Sequence, residues 1–320
     1  MSVKPRFAAD YRTLLWICVF APGLIAVQYA RPDLIPYLSW LTFYFAVTAS
    51  VVAHNHNHCP TFASKRMNFW FASWLSFLYG YPTFAWIPTH NLNHHKHVNK
   101  AGDATITWRF TNRHNFLVAS TYFFVSAYFQ SGPIDQFVKR AKASNPALHA
   151  MIKNQVRAYL ALHLTALGIA FALHGVKTGL YVWALTVLCP AVFSLWTVHL
   201  FNYEQHVHTD PWSKYNHSRN FVGPMLNFLL FNNGYHSAHH EHAGSHWSLL
   251  PELDAPLAPH MDPSLRQKSL WWYWAKQYLL APLFPSLGTK QIGRAPFDTG
   301  SPLDLRSDDV DAVTDNAARV

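Results

Sequence analysis

Four long uncharged stretches limit the possible folds of this chain more than any other feature of its sequence. They cover residues 14–30, 34–53, 158–176 and 178–201. About 20 predominantly apolar residues are enough for a helix to cross a bilayer. Short connections, at residues 31–33 and at Lys177, join the stretches in pairs and predict two transmembrane hairpins. The sequence therefore predicts an all-α integral membrane protein with four transmembrane helices.

Charge is scarce and unevenly placed along the chain. Only 13% of the 320 residues are charged, about half the share found in soluble domains. Basic residues precede each hairpin, and cytoplasmic loops of membrane proteins carry such an excess. This pattern predicts that both termini lie in the cytoplasm. Because the basic residues are scattered between apolar stretches, nucleic-acid binding is not expected.

One membrane domain over residues 1–297 and an acidic mobile tail over residues 298–320 are the predicted parts of the chain. The tail contains six Asp and two Arg and lacks the apolar clusters that a packed segment needs. The three cysteines, Cys18, Cys59 and Cys189, form no CxxC pair. Neither a disulfide framework nor an iron–sulfur site is therefore predicted.

Two further apolar stretches are predicted not to cross the membrane: residues 67–89 dip into it or lie along its surface and then return, and residues 270–283 lie at its surface. Residues 67–89 are interrupted by Gly80-Tyr81-Pro82, and proline breaks a helix. If this stretch crossed the bilayer, the polar residues before and after it would be separated by ~30 Å of hydrocarbon. Residues 270–283 contain three tryptophans, which suits a helix at the interface.

Histidines cluster at the polar ends of the apolar stretches. Pairs four residues apart, and one triplet at i, i+3 and i+4, share a face when the segment is helical. Because neutral imidazole is a common ligand of zinc, iron and copper, these clusters predict metal binding. The topology places them together in a cytoplasmic, histidine-rich cap. The nine candidate ligands are His54, His58, His90, His94, His95, His206, His236, His239 and His240.

Nine imidazoles exceed the needs of one metal ion, since zinc prefers four ligands. Two metals that share the ligands are therefore predicted, and calcium and magnesium are disfavoured because they select oxygen ligands. A ligating imidazole usually donates its other N–H to a carboxylate or carbonyl, and Asp103 is a plausible partner. Further candidates around the ligands, for which an ordinary surface role is the alternative, are His97, His199, Glu204, His208, Asp210 and Glu241.

His242 is a further candidate around the ligands, whereas seven other histidines are expected to have no part in metal binding. His56 lies off the face that its neighbours share, so it is expected to bond a nearby residue. Structural hydrogen bonds are expected for His163 and His174, in or at the end of the third apolar stretch. Four others are expected to be solvated: His114, His149, His217 and His260.

The clusters resemble the three histidine boxes of the membrane fatty acid desaturase and hydroxylase superfamily. The boxes read His54-x-x-x-His58, His90-x-x-x-His94-His95 and His236-x-x-His239-His240. Asn202-x-x-x-His206 looks like the fourth element of acyl-chain desaturases, in which the asparagine reaches a metal through a water molecule. The resemblance covers about residues 34–250, and the combination of boxes is specific whereas a single box would be weak.

This resemblance implies an O2-dependent di-iron desaturase that introduces a double bond into a fatty acyl chain. It also implies an external electron donor, of the ferredoxin or cytochrome type, that docks on the basic cytoplasmic face. A lipid hydroxylase and a carotenoid ketolase or hydroxylase share such a metal centre and stay open as alternatives. A membrane metal transporter or sensor is the non-enzyme alternative. The sequence leaves open the position oxidised, the chain length and the acyl carrier.

Overall fold

The computed structural model describes residues 4–298. Helices dominate this part of the chain, as the sequence predicted. The strands found within residues 4–298 are β1 (Asn220–Phe221) and β2 (Arg266–Gln267), which pair in parallel. The predicted acidic tail lies outside the described residues except for Asp298, and the predicted single domain over residues 1–297 stays a prediction.

The main helices, in chain order and including π-helical turns, are α1 (Asp10–Ala30), α2 (Ile35–His58), α3 (Lys65–Tyr79), α4 (Ile87–His94), α5 (Phe116–Ser144), α6 (Pro146–Trp183), α7 (Cys189–His206), α8 (Pro224–Leu229), α9 (His236–Glu241), α10 (Leu250–Asp254) and α11 (Leu270–Trp274). Wider π-helical turns form Leu15–Phe20 within α1, all of α4, Ala184–Leu188 before α7 and Ala275–Leu280 after α11. Short helical turns occupy Pro32–Leu34, Thr83–Ala85, His95–His97, Trp247–Leu249, Ala258–His260, Pro263–Leu265 and Pro285–Leu287.

Three helices within residues 4–298 are long and apolar enough to cross a membrane. They are Asp10–Ala30, Pro32–His58 and the continuous stretch Pro146–His206. Large apolar side chains on their outer faces, such as those of Trp40, Leu164 and Val176, are exposed. A helix that is apolar on its outer face as well as its inner face is typical of a membrane span.

The 61-residue stretch Pro146–His206 folds back on itself at Gly175, where the backbone leaves the helical region with φ 70° and ψ 176°. A Cβ atom added to Gly179 would lie 2.6 Å from the main-chain oxygen of Ala170. In a straight helix these two residues would be about 13 Å apart, so the two arms are antiparallel and in contact. The sequence placed this turn at Lys177, two residues too late.

The described chain forms two compact units. Unit 1 holds residues 4–87 and 134–198, and unit 2 holds residues 88–133 and 199–298. In unit 1, hydrogen bonds from side chains to main-chain oxygens tie neighbouring helices together. The Ser194 hydroxyl donates to Ala46 at 2.7 Å, and the Trp74 indole donates to Ile17 at 2.9 Å. Donors that meet main-chain oxygens in this way satisfy polar groups within an apolar environment.

Residues 67–89 do not form one continuous helix. The helix α3 has 15 residues, about 22 Å of length, and it ends at Gly80 with φ 94°. A Cβ atom at Gly80 would lie 2.9 Å from the Cβ of Ala191, so both the turn and the close packing require glycine. The break that the sequence indicated at Gly80 to Pro82 is therefore present, and α3 is shorter than a membrane span.

Unit 2 packs short elements around two apolar clusters. The first contains Phe201, Phe221, Leu270 and Tyr273, and the second contains Ala238, Leu250 and Leu257. Asn220 of β1 fixes the start of α9, because its Oδ1 accepts the main-chain N–H of Ser237 at 2.8 Å. Its Nδ2 donates to Asp254 at 2.7 Å. The helix α9 is thereby held in place, and it carries three of the predicted ligands.

The end of α7 is fixed by a buried arginine. The guanidinium of Arg219 donates to the main-chain oxygens of Glu204 and Val207, which are left without helical partners at a helix C-terminus. It also lies 5.1 Å from the ring centre of Tyr273. A cation at this position interacts favourably with the negative end of the helix dipole. His206, the last residue of α7, is thus held by contacts on both sides of it.

Candidate metal centre

Seven of the nine predicted ligands lie in unit 2, on three segments that are distant in sequence. Two of them are on α4 and one directly follows it, one ends α7, and three are on the six-residue helix α9. These seven residues are His90, His94, His95, His206, His236, His239 and His240. The i, i+3, i+4 spacing on α9 turns its three side chains to one face, as predicted.

Four of these imidazoles, those of His94, His206, His236 and His240, converge on one point and are here called the four-nitrogen group. The Nε2 atom of His206 lies 3.1 Å from that of His94, 2.9 Å from that of His236 and 3.2 Å from that of His240. His240 is half-buried, and the other three side chains are buried.

The spacings in the four-nitrogen group suit a shared metal ion better than hydrogen bonds. The Nε2 of a neutral ring has a single hydrogen or a single lone pair, so His206 has too few to bond three nitrogens. Two nitrogens bound at ~2.1 Å to one metal are about 3.0–3.4 Å apart at octahedral or tetrahedral angles. The group therefore fits a transition metal ion.

Burial favours the metal-binding form of these imidazoles. Burial lowers the pKa of His240 well below its ordinary value, and the neighbouring His95 and His236 lower it further. The charged form is disfavoured because it loses its hydration inside the protein. His240 is therefore neutral at physiological pH, as a ligating imidazole must be.

Three further imidazoles form a second cluster, here called the three-nitrogen group. The Nε2 of His95 lies 3.1 Å from that of His90 and 3.0 Å from that of His239. The two groups are neighbours, because the ring centres of His95 and His240 are 4.5 Å apart. The rings of His90 and His94 stack at 5.1 Å. Unit 2 therefore offers two adjacent sets of imidazole ligands.

The first predicted box lies in unit 1, in the last turn of α2. The rings of His54 and His58 are 4.9 Å apart, as expected for i and i+4 on one helical face. His56, between them, points elsewhere, and its Nδ1 lies 3.0 Å from the hydroxyl of Thr61. The expectation that His56 bonds a neighbour is therefore confirmed.

The buried carboxylate of Asp103 contacts the Nδ1 side of the His94 ring. The Nδ1 of His94 lies 2.8 Å from Asp103 Oδ2 and 3.0 Å from the Thr105 hydroxyl. Burial by itself would raise the pKa of Asp103, but the electrostatic interaction with His94 and hydrogen bonds from His94 and Thr105 outweigh it and lower the pKa below its usual value. An ionised Asp103 keeps the proton on Nδ1 and leaves Nε2 for a metal.

His206 is oriented by a main-chain oxygen. Its Nδ1 lies 3.2 Å from the carbonyl oxygen of His217, which favours a proton on Nδ1 and a free lone pair on Nε2. The ring centre of His217 is 5.4 Å from that of His240. The Nε2 of His217 lies 3.7 Å from Oε1 of Glu241, one of the predicted residues around the ligands, and this proximity lowers the pKa of Glu241. The expectation that His217 is solvated was wrong, because its side chain is buried.

Asn202, the residue predicted to act through water, contacts Tyr122. Its Nδ2 donates to the Tyr122 hydroxyl at 3.2 Å, and Tyr122 donates to the main-chain oxygen of Thr105. Thr105 also contacts His94, so Asn202 connects to the four-nitrogen group through two residues. Tyr122 and Thr105 were not predicted from the sequence, because neither is a histidine and neither belongs to a recognisable spacing.

Glu204 and His208 belong to a different polar cluster. Glu204 accepts from the Tyr278 hydroxyl and lies 3.2 Å from His114 Nε2. The Nε2 of His208 donates to the main-chain oxygen of Asn112 at 2.6 Å, and burial lowers the pKa of His208. These contacts tie residues 112–114 and Tyr278 to the end of α7. The expectation that His114 is solvated was wrong, since its side chain is 1% exposed.

Three other predicted residues have contacts that do not involve the two groups. The Nε2 of His199 lies 2.8 Å from the Gln130 amide nitrogen. Asp210 accepts the main-chain N–H groups of Trp212 and Arg294, each at 3.0 Å. His97 packs against Gly102, where an added Cβ atom would lie 2.9 Å from the ring. Burial lowers the pKa of His97.

The fold and the site together define a class of protein. It is helical, its helices suit a membrane, and its histidines form groups suited to transition metals. The family model described as fatty acid desaturase matches residues 32–274. This match covers more than half of the chain, so the protein belongs to the fatty acid desaturase family, as its sequence predicted. The family consists of oxidoreductases in general. No significant similarity to a curated protein or to a solved structure was found.

Proposed function

We propose that this protein is a membrane di-iron desaturase that uses dioxygen to introduce a double bond into an acyl chain. One observation carries the proposal. Seven imidazoles from three distant segments meet in two adjacent groups whose nitrogen spacings suit transition metals. Membership of the fatty acid desaturase family supports oxidative chemistry on a lipid. The apolar helices support a location in a membrane.

The proposed centre uses all nine predicted histidines. The four-nitrogen group would hold one iron, and the three-nitrogen group would contribute to the second. His54 and His58 would complete the second site, which agrees with the order of boxes in the family. Asn202 would bind a water molecule through its Oδ1, because its Nδ2 donates to Tyr122. Neutral imidazoles throughout distinguish this ligand set from the carboxylate-rich sets of soluble di-iron bundles.

Iron is the proposed metal because breaking an unactivated C–H bond needs redox chemistry, which zinc does not provide. The bound metals would supply the dioxygen chemistry, and the protein supplies orientation, electrostatics and exclusion of water. Asp103 and the His217 carbonyl fix the protonation and direction of two ligands. Reducing dioxygen to two waters takes four electrons. The two removed hydrogens supply two of them, so an external donor must supply the other two.

Four membrane spans in two hairpins remain the proposed topology. The turn at Gly175 supports this count, because it divides the stretch Pro146–His206 into two antiparallel arms. The basic residues before each hairpin favour a cytoplasmic location for both termini and for the metal centre. Lys177→Cys tests this orientation, because a membrane-impermeant thiol reagent added outside intact cells should label it. Labelling only after the cytoplasmic side has been exposed would contradict the orientation.

Iron analysis of the purified protein tests the metal assignment. We expect about two irons per chain, and we expect His239→Ala to lower this number. His260→Ala is the matched control, because this histidine is exposed and belongs to neither group. Full iron retention in His239→Ala and in double variants of the two groups would refute the assignment.

Lipid mass spectrometry tests the reaction. The protein is produced in a host that lacks the relevant double bond, and its fatty acids are compared with those of cells without the gene. Loss of two hydrogens from an acyl chain is the expected result. A gain of one oxygen would instead identify a hydroxylase, and a change in pigments would identify a carotenoid-modifying enzyme.

A further inference from the structure

Two tryptophans and three cations form a surface feature of unit 2 that the metal centre does not use. The Lys100 ammonium lies 5.0 Å from the ring centre of Trp212, and the Arg294 guanidinium lies 4.1 Å from it. The residues Lys96, Lys100, Trp108, Trp212, Arg294 and Phe297 are here called the tryptophan patch. Cations over an aromatic face are stabilised by its quadrupole, so the charges of Lys100 and Arg294 are held in place over Trp212.

Residues 294–297 bring the two tryptophans of the patch together. The Trp212 indole donates to the main-chain oxygen of Ala295 at 3.2 Å. The ring of Phe297 lies 5.7 Å from that of Trp108 and is half-exposed. The patch therefore combines one exposed ring, that of Phe297, and two partly buried indoles with cations, and protein interfaces favour aromatic residues and arginine.

The patch is connected to the metal centre by a short series of hydrogen bonds. The Trp108 indole donates to the main-chain oxygen of Asn99 at 2.8 Å. The N–H of Asn99 donates to Asp103 Oδ2 at 2.8 Å, and the same oxygen lies 2.8 Å from Nδ1 of His94. The amide of Asn99 also donates to the main-chain oxygen of His206 at 3.0 Å. Asn99 thus contacts the supports of two proposed ligands.

The charges of the patch favour an acidic partner. Lys96 is exposed, and the cationic groups of Lys100 and Arg294 both lie over the ring of Trp212. Two carboxylates lie nearby. Asp210 is occupied by the main-chain N–H groups of Trp212 and Arg294, and Asp298 is exposed at the end of the described chain. Complementary charge speeds the encounter of such partners and fixes their orientation.

We propose that the tryptophan patch docks a small acidic one-electron carrier, which reduces the metal centre through Trp108, Asn99 and Asp103. This inference rests on the proposed function, which requires two external electrons per turnover. Each docking event moves one electron, so the carrier is oxidised by one and the bound metals are reduced by one. Two docking events supply the two electrons, and no covalent bond is made or broken in this step.

Binding of an acidic [2Fe–2S] ferredoxin to the full-length protein in nanodiscs is the first test. The double variant Lys100→Glu/Arg294→Glu is expected to raise the dissociation constant about tenfold or more, because it replaces two attractions with two repulsions. The double variant Lys153→Glu/Lys268→Glu changes the net charge equally at two other exposed positions and should bind as the unaltered protein does. Cytochrome c, a basic carrier, should not bind to the patch.

Anaerobic stopped-flow reduction of the iron-loaded protein is the second test. Charge reversal at Lys100 and Arg294 should lower the second-order rate constant with ferredoxin about tenfold, while reduction by the small neutral reductant hydroquinone is unchanged. Trp108→Phe, which removes the hydrogen bond to Asn99, should slow reduction within the bound complex, measured at ferredoxin concentrations that saturate the variant. Unchanged rates in both variants would overturn the proposal.

The two proposals fail in different ways. If the protein binds no iron but ferredoxin affinity still depends on Lys100 and Arg294, the di-iron assignment fails and the docking surface stands. If iron is bound and charge reversal leaves ferredoxin affinity unchanged, the docking surface is wrong. If ferredoxin binds only to a chain that ends at residue 298, the acidic segment 299–320 occupies the patch in the full chain. The carrier is then not the occupant of the patch.

Discussion

Unit 1 and unit 2 are stabilised by different kinds of contact. In unit 1, long helices are joined by close backbone approach, as at Gly179, and by single hydrogen bonds such as that between Ser194 and Ala46. In unit 2, short elements are joined by series of polar contacts that end on histidines, such as Asn99 to Asp103 to His94. Unit 1 therefore depends on steric fit, whereas unit 2 depends on charge and protonation.

Removing one histidine from each unit should give the largest contrast. His206→Ala is expected to lower iron from about two to about one per chain and to reduce activity by more than about a hundredfold, because even residues around metal ligands affect binding 10- to 100-fold. His174→Ala is the matched substitution in unit 1, where Nε2 of His174 donates to the Tyr29 oxygen at 2.7 Å. It should retain both irons. Metal analysis and activity measure both variants, and equal iron loss would contradict the contrast.

Adding one methyl group at two glycines tests steric fit in unit 1. A Cβ atom at Gly179 would lie 2.6 Å from the Ala170 oxygen and 2.7 Å from its carbonyl carbon, so Gly179→Ala should destabilise the protein by about 1–3 kcal/mol. At Gly168 nothing lies within 4 Å. Gly168→Ala should therefore stabilise the helix by about 0.5–1 kcal/mol. Thermal unfolding in detergent distinguishes the two variants, and equal midpoints would refute the close approach of Gly179 to Ala170.

Neutralising one buried carboxylate tests the dependence of unit 2 on charge. Asp103→Asn keeps the size of the side chain but removes the charge that fixes His94, so metal affinity should fall about 10- to 100-fold. Asp262→Asn is the control, because Asp262 also lies in unit 2 and its carboxylate accepts the main-chain N–H of Ser264 at 2.8 Å. It should lower stability and leave metal affinity unchanged. Titration with a competing chelator measures both affinities.

The difference between the two units also explains how much of each could be predicted from the sequence. Apolar length and the spacing of histidines are local properties, so the helices of unit 1 and the faces of α2 and α9 were predicted. The turn at Gly175 was placed at Lys177, because Lys177 is the charged residue between the two apolar stretches. The positive φ of Gly175 is seen only in the structure. Contacts between distant segments have no local pattern. Thr105, Tyr122 and Asn99 were therefore missed, and His217 was taken as solvated although it packs beside His240.

Acid sensitivity of the metal-free protein should give the smallest effect. Burial lowers the pKa of His240 in the folded protein, whereas an unfolded histidine has its pKa near 6.5. Below that pH the unfolded chain binds a proton that folded His240 does not. The free energy of unfolding should therefore fall as the pH drops from about 6.5, by at most about 1.4 kcal/mol per unit for this histidine. Asp103 acts in the same direction only at lower pH, because its pKa is below its usual value in the folded protein.

Unfolding of the metal-free protein between pH 7.5 and pH 5.5 isolates the histidine contribution, since carboxylates titrate below this range. His240→Asn should flatten the pH dependence, because it removes a group that must gain a proton on unfolding. Gly168→Ala changes no titratable group, so it should shift stability equally at both pH values. A slope unchanged in His240→Asn would show that burial of this imidazole does not govern the acid sensitivity of unit 2. The distinction between a sterically fitted unit and a protonation-dependent unit would then fail at its most sensitive point.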